Sequence, residues 1–283
     1  MIFFSTGGVR DKPAFQTAEE LNSQGVHNIE LSGGKFLENQ LDKLKLLKSD
    51  CNFLVHNYFP PPKESFVFNL ASLNNDISVK SIEHAKLAID YAVNLNSPTY
   101  TFHAGFLIDP EVKELGNKIK PKKLFDKKDG LSTFISNLNY LSSYAETKNV
   151  ELLVENNVLS KNNKELFKSN PLLMTDITDC IEIMSSTPDN VNLLVDVAHL
   201  KVSSNSQSFS CKDYLKKADK WIKGYHLSDN NGLSDTNNKV TNDSWFWNEL
   251  NKDIEFITIE VYGLNVIETK DQIDLVQSKI CQK

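Results

Sequence analysis

Short apolar runs recur along the chain, each followed by a stretch with helical spacing. In order they read MIFF, NIEL, NFLV, TYTF, VELLV, NLLV, WIKGY and EFITI. Several are only four or five residues long and rich in β-branched or aromatic side chains, as buried parallel strands are. The segment AFQTAEELNSQG sets Phe15, Ala18 and Leu21 on one helical face and offers Gly25 as a stop. FLENQLDKLKLLKS predicts a stripe of Phe36, Leu37, Leu41, Leu44 and Leu47. SIEHAKLAIDYAVNLN predicts a helix capped by Ser81, with Ile82, Ala85, Ile89 and Ala92 inward. LSTFISNLNYLSSYAETK, MTDITDCIEIMSS, CKDYLKKADK and VIETKDQIDLVQSKI behave alike. Eight strand-like runs alternating with helices predict an α/β fold, a single (β/α)8 TIM barrel over residues 1–283. The competing doubly wound sheet has no GxGxxG or Walker A sequence to support it.

Composition narrows the setting. With 40% hydrophobic and 24% charged residues, a large core is expected and global disorder is not. The net charge of -6 weighs against a nucleic-acid partner, which calls for a basic face. Cys51, Cys180, Cys211 and Cys281 form no CxxC pair and are expected to be reduced thiols. The start, MIFFSTGGVR, is apolar too briefly for a signal peptide or a membrane span. A cytoplasmic protein with no membrane partner is the expectation; a homo-oligomer is left open.

The chemistry is concentrated at the ends of the runs. Ser5, His56, His103, Glu155, Asp196 and Glu260 follow runs one, three, four, five, six and eight, Glu30 sits within the second, and His226 ends the seventh. Four of the six histidines (His56, His103, His199, His226) fall at these ends, whereas His27 and His84 do not. In an α/β barrel the C-terminal strand ends share one mouth, so residues scattered over the chain converge there. Carboxylates and imidazoles gathered in one pocket repel, desolvate or protonate one another unless a cation holds them. A mixed oxygen and nitrogen donor set suits Mn²⁺, Co²⁺, Mg²⁺, Fe²⁺ or Zn²⁺. Glu30 is read chiefly as a hydrogen-bonding partner of a neighbouring loop.

The pieces NIELSGG, LVHNYFPPP, FHAG, LLVENN, LLVDVAHL, YHLSDNNG and ITIEVYG, in this order and spacing, resemble the xylose isomerase-like barrel superfamily over nearly the whole chain. That superfamily contains sugar and sugar-phosphate isomerases and epimerases, inosose dehydratases and endonuclease IV. The resemblance implies one divalent metal (Mn²⁺, Co²⁺, Mg²⁺ or Zn²⁺) held by Glu155, Asp196, His226 and Glu260. It implies that Glu155 and Glu260 also serve as the catalytic acid/base pair. His199 matches the histidine of the family's D-x-x-H and Asp229 the aspartate of its H-x-x-D. His56 and His103 match positions that bind substrate or, in the endonuclease branch, further metals. Together His56, His103, His199 and Asp229 are expected to bind substrate or to support the ligands. The sequence departs from the family where TNNKVTNDSWFW puts Asn237 near an expected histidine, which puts a three-metal site in doubt.

The implied function is a metal-dependent sugar or sugar-phosphate isomerase or epimerase, working through a metal-stabilised enediolate with paired glutamates. An endonuclease IV-like multi-metal phosphodiesterase, a polyol or keto-acid dehydratase and a non-catalytic sugar-binding barrel are the alternatives. Trp245, Phe246 and Trp247 are candidates to wall a sugar face, with a helix packing stripe as the other reading. Lys35, Lys63, Lys118, Lys120, Lys122 and Lys123 are candidates to attract a phosphate or an acidic sugar, with a solvated loop as the other reading of the run KIKPKKLFDKK.

Overall fold

The computed structural model of the protein describes residues 1–114 and 120–281. The strands are β1 (Ile2–Ser5), β2 (Asn28–Ser32), β3 (Asn52–His56), β4 (Thr99–His103), β5 (Glu151–Glu155), β6 (Val191–Asp196), β7 (Ile222–Leu227) and β8 (Phe256–Ile259). They pair in parallel and in sequence order, and β8 closes on β1 to complete a barrel. Around it lie α1 (Ala14–Ser23), α2 (Gln40–Leu46), α3 (Asn75–Leu95), α4 (Lys127–Glu146), α5 (Lys161–Phe167), α6 (Ile177–Ser185), α7 (Val197–Gln207), α8 (Cys211–Ala218) and α9 (Val266–Cys281). The expected (β/α)8 barrel is thus the fold. Among the described residues no helix is long and apolar enough to cross a membrane. The four cysteines are free thiols.

The period of two along a strand decides what the barrel encloses. In β5, Leu152 and Val154 pack outward into the main core under the helices, whereas Leu153 turns inward. Leu153 joins Phe3, Leu54, Leu194 and Phe256 in a separate apolar cluster that floors the barrel. Burying each such side chain contributes about 1.5–3 kcal/mol. Two residues beyond Phe3, Leu54, Leu153 and Leu194 come Ser5, His56, Glu155 and Asp196, on the same inward parity one layer higher. Gly224 makes room for the floor: a Cβ there would sit 2.7 Å from the Phe256 ring. The β6–β7 register shifts between Leu193 and Leu194, leaving Lys223 as the extra residue. That bulge sets Gly224 opposite Leu194 and His226 opposite Asp196.

Three local expectations are corrected. Ser81 does not cap α3: Asn74 does, its side chain accepting from the Asp76 N–H, and the helix starts earlier than the apolar stripe. Ser81 lies inside the helix and donates instead to the Ile77 carbonyl. The stripe from Phe36 to Leu47 shrinks to a helix over Gln40–Leu46, in which Leu44 is buried while Phe36, outside it, is 46% exposed. Helices α5 and α7 add to the elements expected.

Candidate functional site

The inward strand ends bring Glu155, Asp196, His226 and Glu260 together. All four are buried, and one ligand atom from each lies within 4.8 Å of the others. His226 Nδ1 is 3.1 Å from Glu260 Oε2 and 3.5 Å from Glu155 Oε1. On its far side His226 Nε2 meets Glu30 Oε2 at 2.9 Å, and Thr258 Oγ1 donates to that same oxygen at 3.0 Å. With Nε2 donating to a carboxylate, the Nδ1 lone pair is the one presented to a metal. The sequence suggests a loop partner for Glu30; in the fold Glu30 instead braces His226 of β7.

Asp196 carries two jobs. It ends β6 and is the N-cap of α7, where Oδ1 accepts from the His199 N–H at 2.7 Å. This is the N-cap to N3 bond that satisfies an orphan donor of a helix start. It ties the backbone of residue 199 to Asp196, while the imidazole of His199 makes its own separate contacts. Its other oxygen, Oδ2, is buried without a hydrogen bond. Asn156, next to Glu155, clasps the Asp196 backbone from both sides, accepting from its N–H at 2.8 Å and donating to its carbonyl at 3.1 Å.

A second layer of imidazoles adjoins the first. His103 Nδ1 and His56 Nε2 lie 3.2 and 3.5 Å from Glu155 Oε2. His56 is oriented by Thr101 Oγ1 at 2.8 Å from its Nδ1. His56, His103 and Glu155 form a further group of metal-ligand geometry, and so do Glu30, His56 and His226. The His199 ring is pinned through Nδ1 to the Asn156 carbonyl at 2.9 Å and through Nε2 to Asp235 Oδ2 at 3.2 Å. Asp229 stands apart: its carboxylate accepts from Lys201 Nζ at 2.6 Å and from Ser244 Oγ at 2.8 Å. It joins Asn238 by two backbone hydrogen bonds, tying down the loop that carries Asp235 and Asn237. Asn237 itself turns to the backbone, donating to the Glu260 carbonyl at 3.1 Å.

Electrostatics record the crowding. Burial pushes the Asp196 carboxyl up to about 7; nearby Glu155 adds to the rise and His199 opposes it. Burial works against the charged forms of Glu155 and Glu260 as well, yet the adjoining histidines, His103 and His226 for the first and His226 for the second, prevail. They hold Glu155 well below the usual carboxylate range and Glu260 down at about 2. Burial likewise opposes charge on His226, but Glu30 and Glu155 raise it well above an ordinary imidazole. His199 is raised despite burial by Asp196 and Asp235, and His103 is lowered to about 4, chiefly by burial.

The donor set fits a divalent cation. Both oxygens of Glu155, Oδ2 of Asp196 and Nδ1 of His103 are buried with no hydrogen bond, an arrangement that costs several kcal/mol unless something positive satisfies it. Three carboxylates and an imidazole are hard-to-borderline ligands for Mn²⁺, Co²⁺, Mg²⁺ or Zn²⁺.

Several expected or overlooked side chains resolve differently. Phe246 and Trp247 are packed into the core, and Trp247 Nε1 donates to the Thr241 carbonyl, so packing is their role. Trp245 is half-buried. Lys122 is spent on Glu114 at 2.7 Å, and Lys118 lies outside the described residues. The sequence pattern does not single out Asp235 or Tyr262. Tyr262 donates its hydroxyl to Glu260 Oε1 at 2.9 Å. The Ser- and Asn-rich loop around Asp235 gave no pattern to find it by, whereas Tyr262, two residues past Glu260, was within reach of a strand-end reading.

Among solved structures the chain is similar to a D-tagatose 3-epimerase-like protein at 17% identity, TM-score 0.75, covering 99% of this chain and 96% of that one. It is similar to D-psicose 3-epimerase from Clostridium cellulolyticum H10 at 12% identity, TM-score 0.69, covering 99% of each chain. It is also similar to a family 2 AP endonuclease from Brucella melitensis at 13% identity, TM-score 0.64, covering 94% and 95%. At these identities the likeness is one of fold. No curated protein sequence matches the chain. The sequence model of the xylose isomerase-like TIM barrel matches residues 18–253. That span takes in β2 through β7 and well over half of the sequence, so the chain belongs to the xylose isomerase-like TIM barrel family.

Proposed function

We propose that the protein is a divalent-metal-dependent isomerase or epimerase of a sugar or sugar phosphate. One observation carries the reading: two glutamates from β5 and just past β8, Glu155 and Glu260, converge on one buried ligand group with Asp196 and His226. Glu155, Asp196, His226 and Glu260 would hold the ion. A cation bound there supplies Lewis-acid polarisation of substrate oxygens. The chain's own contribution is proton handling. One glutamate takes the proton from the carbon beside the substrate carbonyl. The other, having first taken up a proton from a substrate hydroxyl or solvent, delivers it to the opposite face or the next carbon, and the first then releases its proton to restore both carboxylates. Tyr262 holds Oε1 of Glu260, leaving Oε2 toward His226, which fixes the carboxylate plane. His199, fastened at both ring nitrogens, orients rather than exchanges protons. The apolar floor under the site keeps bulk water from below.

The test is a panel of free and phosphorylated ketoses assayed with Mn²⁺ or Co²⁺. Glu155→Gln and Glu260→Gln should each lower kcat by about 10²–10⁴-fold, the usual contribution of a positioned acid or base. An absence of turnover with every sugar would overturn the reading.

A second reading, a multi-metal phosphodiesterase, draws support from the His56, His103 and Glu155 group, in which Glu155 is shared with the first ligand set. Two or three bound ions by elemental analysis, with incision of an abasic-site duplex, would favour it. A single ion and an intact duplex would exclude it.

A further inference from the structure

Arg10 is the only arginine in a chain whose other cationic side chains are all lysines. It lies in the loop between β1 and α1, on the side of the barrel where the strand ends open. This loop runs directly over the candidate site. A Cβ on Gly7 would sit 3.3 Å from Glu260 Oε1, and one on Gly8 would sit 2.8 Å from the Tyr262 ring. Val9 N–H closes a turn onto the Thr6 carbonyl, so Arg10 emerges just past the residues that touch Glu260 and Tyr262.

Several lysines around the mouth are neutralised by acidic partners. Lys12 is paired with Glu20, Lys122 with Glu114, Lys127 with Asp179, Lys201 with Asp229 and Lys239 with Glu268. Arg10 is exposed and has no acidic partner among the described residues, and the same holds for Lys35 on the next loop. The two loops are locked together: Lys35 N–H donates to the Lys12 carbonyl, and Gly34, at φ +58 to +88 with its neighbour Gly33, leaves no room for a side chain against Lys12 and Ala14. Lys63, Lys120 and Lys123 also lack an acidic partner among the described residues, but only Arg10 and Lys35 sit on two loops hydrogen-bonded to each other, one of which crosses above Glu260.

We propose that Arg10, assisted by Lys35, binds the anionic group of the substrate, so that this protein acts on a sugar bearing a phosphate or a carboxylate rather than on a neutral sugar. The inference rests on the isomerase or epimerase reading of the site. A guanidinium presents a planar fork that matches either anion through two parallel hydrogen bonds, which a lysine does not. An acidic metal pocket repels an anionic substrate unless a separate positive group holds its charged end away from the carboxylates, and Arg10 is placed to do so.

The metal-loaded protein is titrated calorimetrically with D-fructose 6-phosphate, D-fructuronate and D-fructose, and turnover of each is recorded. At least one anionic sugar should bind about 10- to 100-fold more tightly than D-fructose, with an advantage that shrinks as salt is raised. Arg10→Gln should abolish that advantage while leaving D-fructose affinity and bound metal unchanged; Arg10→Lys should restore part of it, and Lys35→Gln should remove a smaller part. A preference for the phosphate over the carboxylate, or the reverse, identifies which anion is read. Equal affinity for all three sugars in the wild type, or an equal loss for all three in Arg10→Gln, overturns the proposal. Turnover of D-fructose alone would sink the anion site and spare the isomerase reading. Arg10-dependent anion binding without any turnover would do the opposite.

Discussion

Replacing Glu30 by Gln isolates what a buried carboxylate does for His226, a member of the proposed ligand set. Glu30 is fully buried and makes two contacts through Oε2, to His226 Nε2 at 2.9 Å and Thr258 Oγ1 at 3.0 Å. Its Oε1 has no partner. Gln keeps the shape and one acceptor but removes the charge that fixes the Nε2–H tautomer and strengthens the Nδ1 donor. Loss of such a supporting carboxylate lowers metal affinity by about 10–100-fold. That corresponds to about 1.4–2.7 kcal/mol of binding free energy. The magnitude belongs at the upper end, because no water reaches either atom to replace the charge and His226 is 0% exposed. Competition of Mn²⁺ against a chelator, followed by calorimetry, measures it, and circular dichroism confirms that the variant is folded. A folded Glu30→Gln protein with metal affinity within twofold of wild type would refute the reasoning. Glu30 would then be a packing residue and nothing more.

The metal-free protein should lose thermal stability as pH rises from the mildly acidic range through neutrality, Asp196 acting up to about 7 and His199 and His226 from about 6.5 upward. A raised folded pKa gives stability that is complete below the unfolded pKa and is lost as pH rises through the folded one, and Asp196 at about 7 with raised His199 and His226 all act in that direction. Glu155 and Glu260, both lowered, are ionised throughout this window in either state and add no slope. The expected fall in Tm is roughly 2–6 °C by scanning calorimetry with chelator present, and bound metal should erase it because the ligands are then already deprotonated; a rising Tm in the chelated protein would contradict the assignment. Gly105→Ala should destabilise by about 1–3 kcal/mol in denaturant titration, since its Cβ would lie 2.4 Å from the Ala71 Cβ and 3.0 Å from the Ala71 N. Asn157→Ala should cost about 2–3 kcal/mol by the same measurement, as one side-chain amide satisfies the buried carbonyls of Ala104, Gly105 and Leu173.

Much of this protein was legible in one dimension. The strands are short, buried on both faces and bounded by polar residues, so their number and their ends follow from local patterning. Because the side-chain period in a strand is two, Leu153 and Leu194 on the barrel floor already imply that Glu155 and Asp196 point into the same lumen. Helix α7 was hidden for a physical reason. Its first residues, Val197 to Leu200, are all buried, so it lacks the polar face that makes a helix visible and reads as more strand. Phe36 misled in the opposite way, an apolar side chain left 46% exposed beyond the start of α2.

The sequence by itself determined the barrel, its order and the set of acids and imidazoles at its mouth, since each follows from residues near one another in the chain. The partnerships among those residues were decided only by the closed tertiary structure. Glu30 and His226 are 196 residues apart and meet because β2 and β7 face the same lumen. Asp235 reaches His199 because Asp229 and Asn238 fold its loop back. The loop after β1 passes close to Glu260 and Tyr262 because Gly7 and Gly8 carry no side chain there. Long-range contacts of this kind carry no periodic signature, as no local free energy selects them. They exist only once the barrel has closed and brought buried charges within reach of one another.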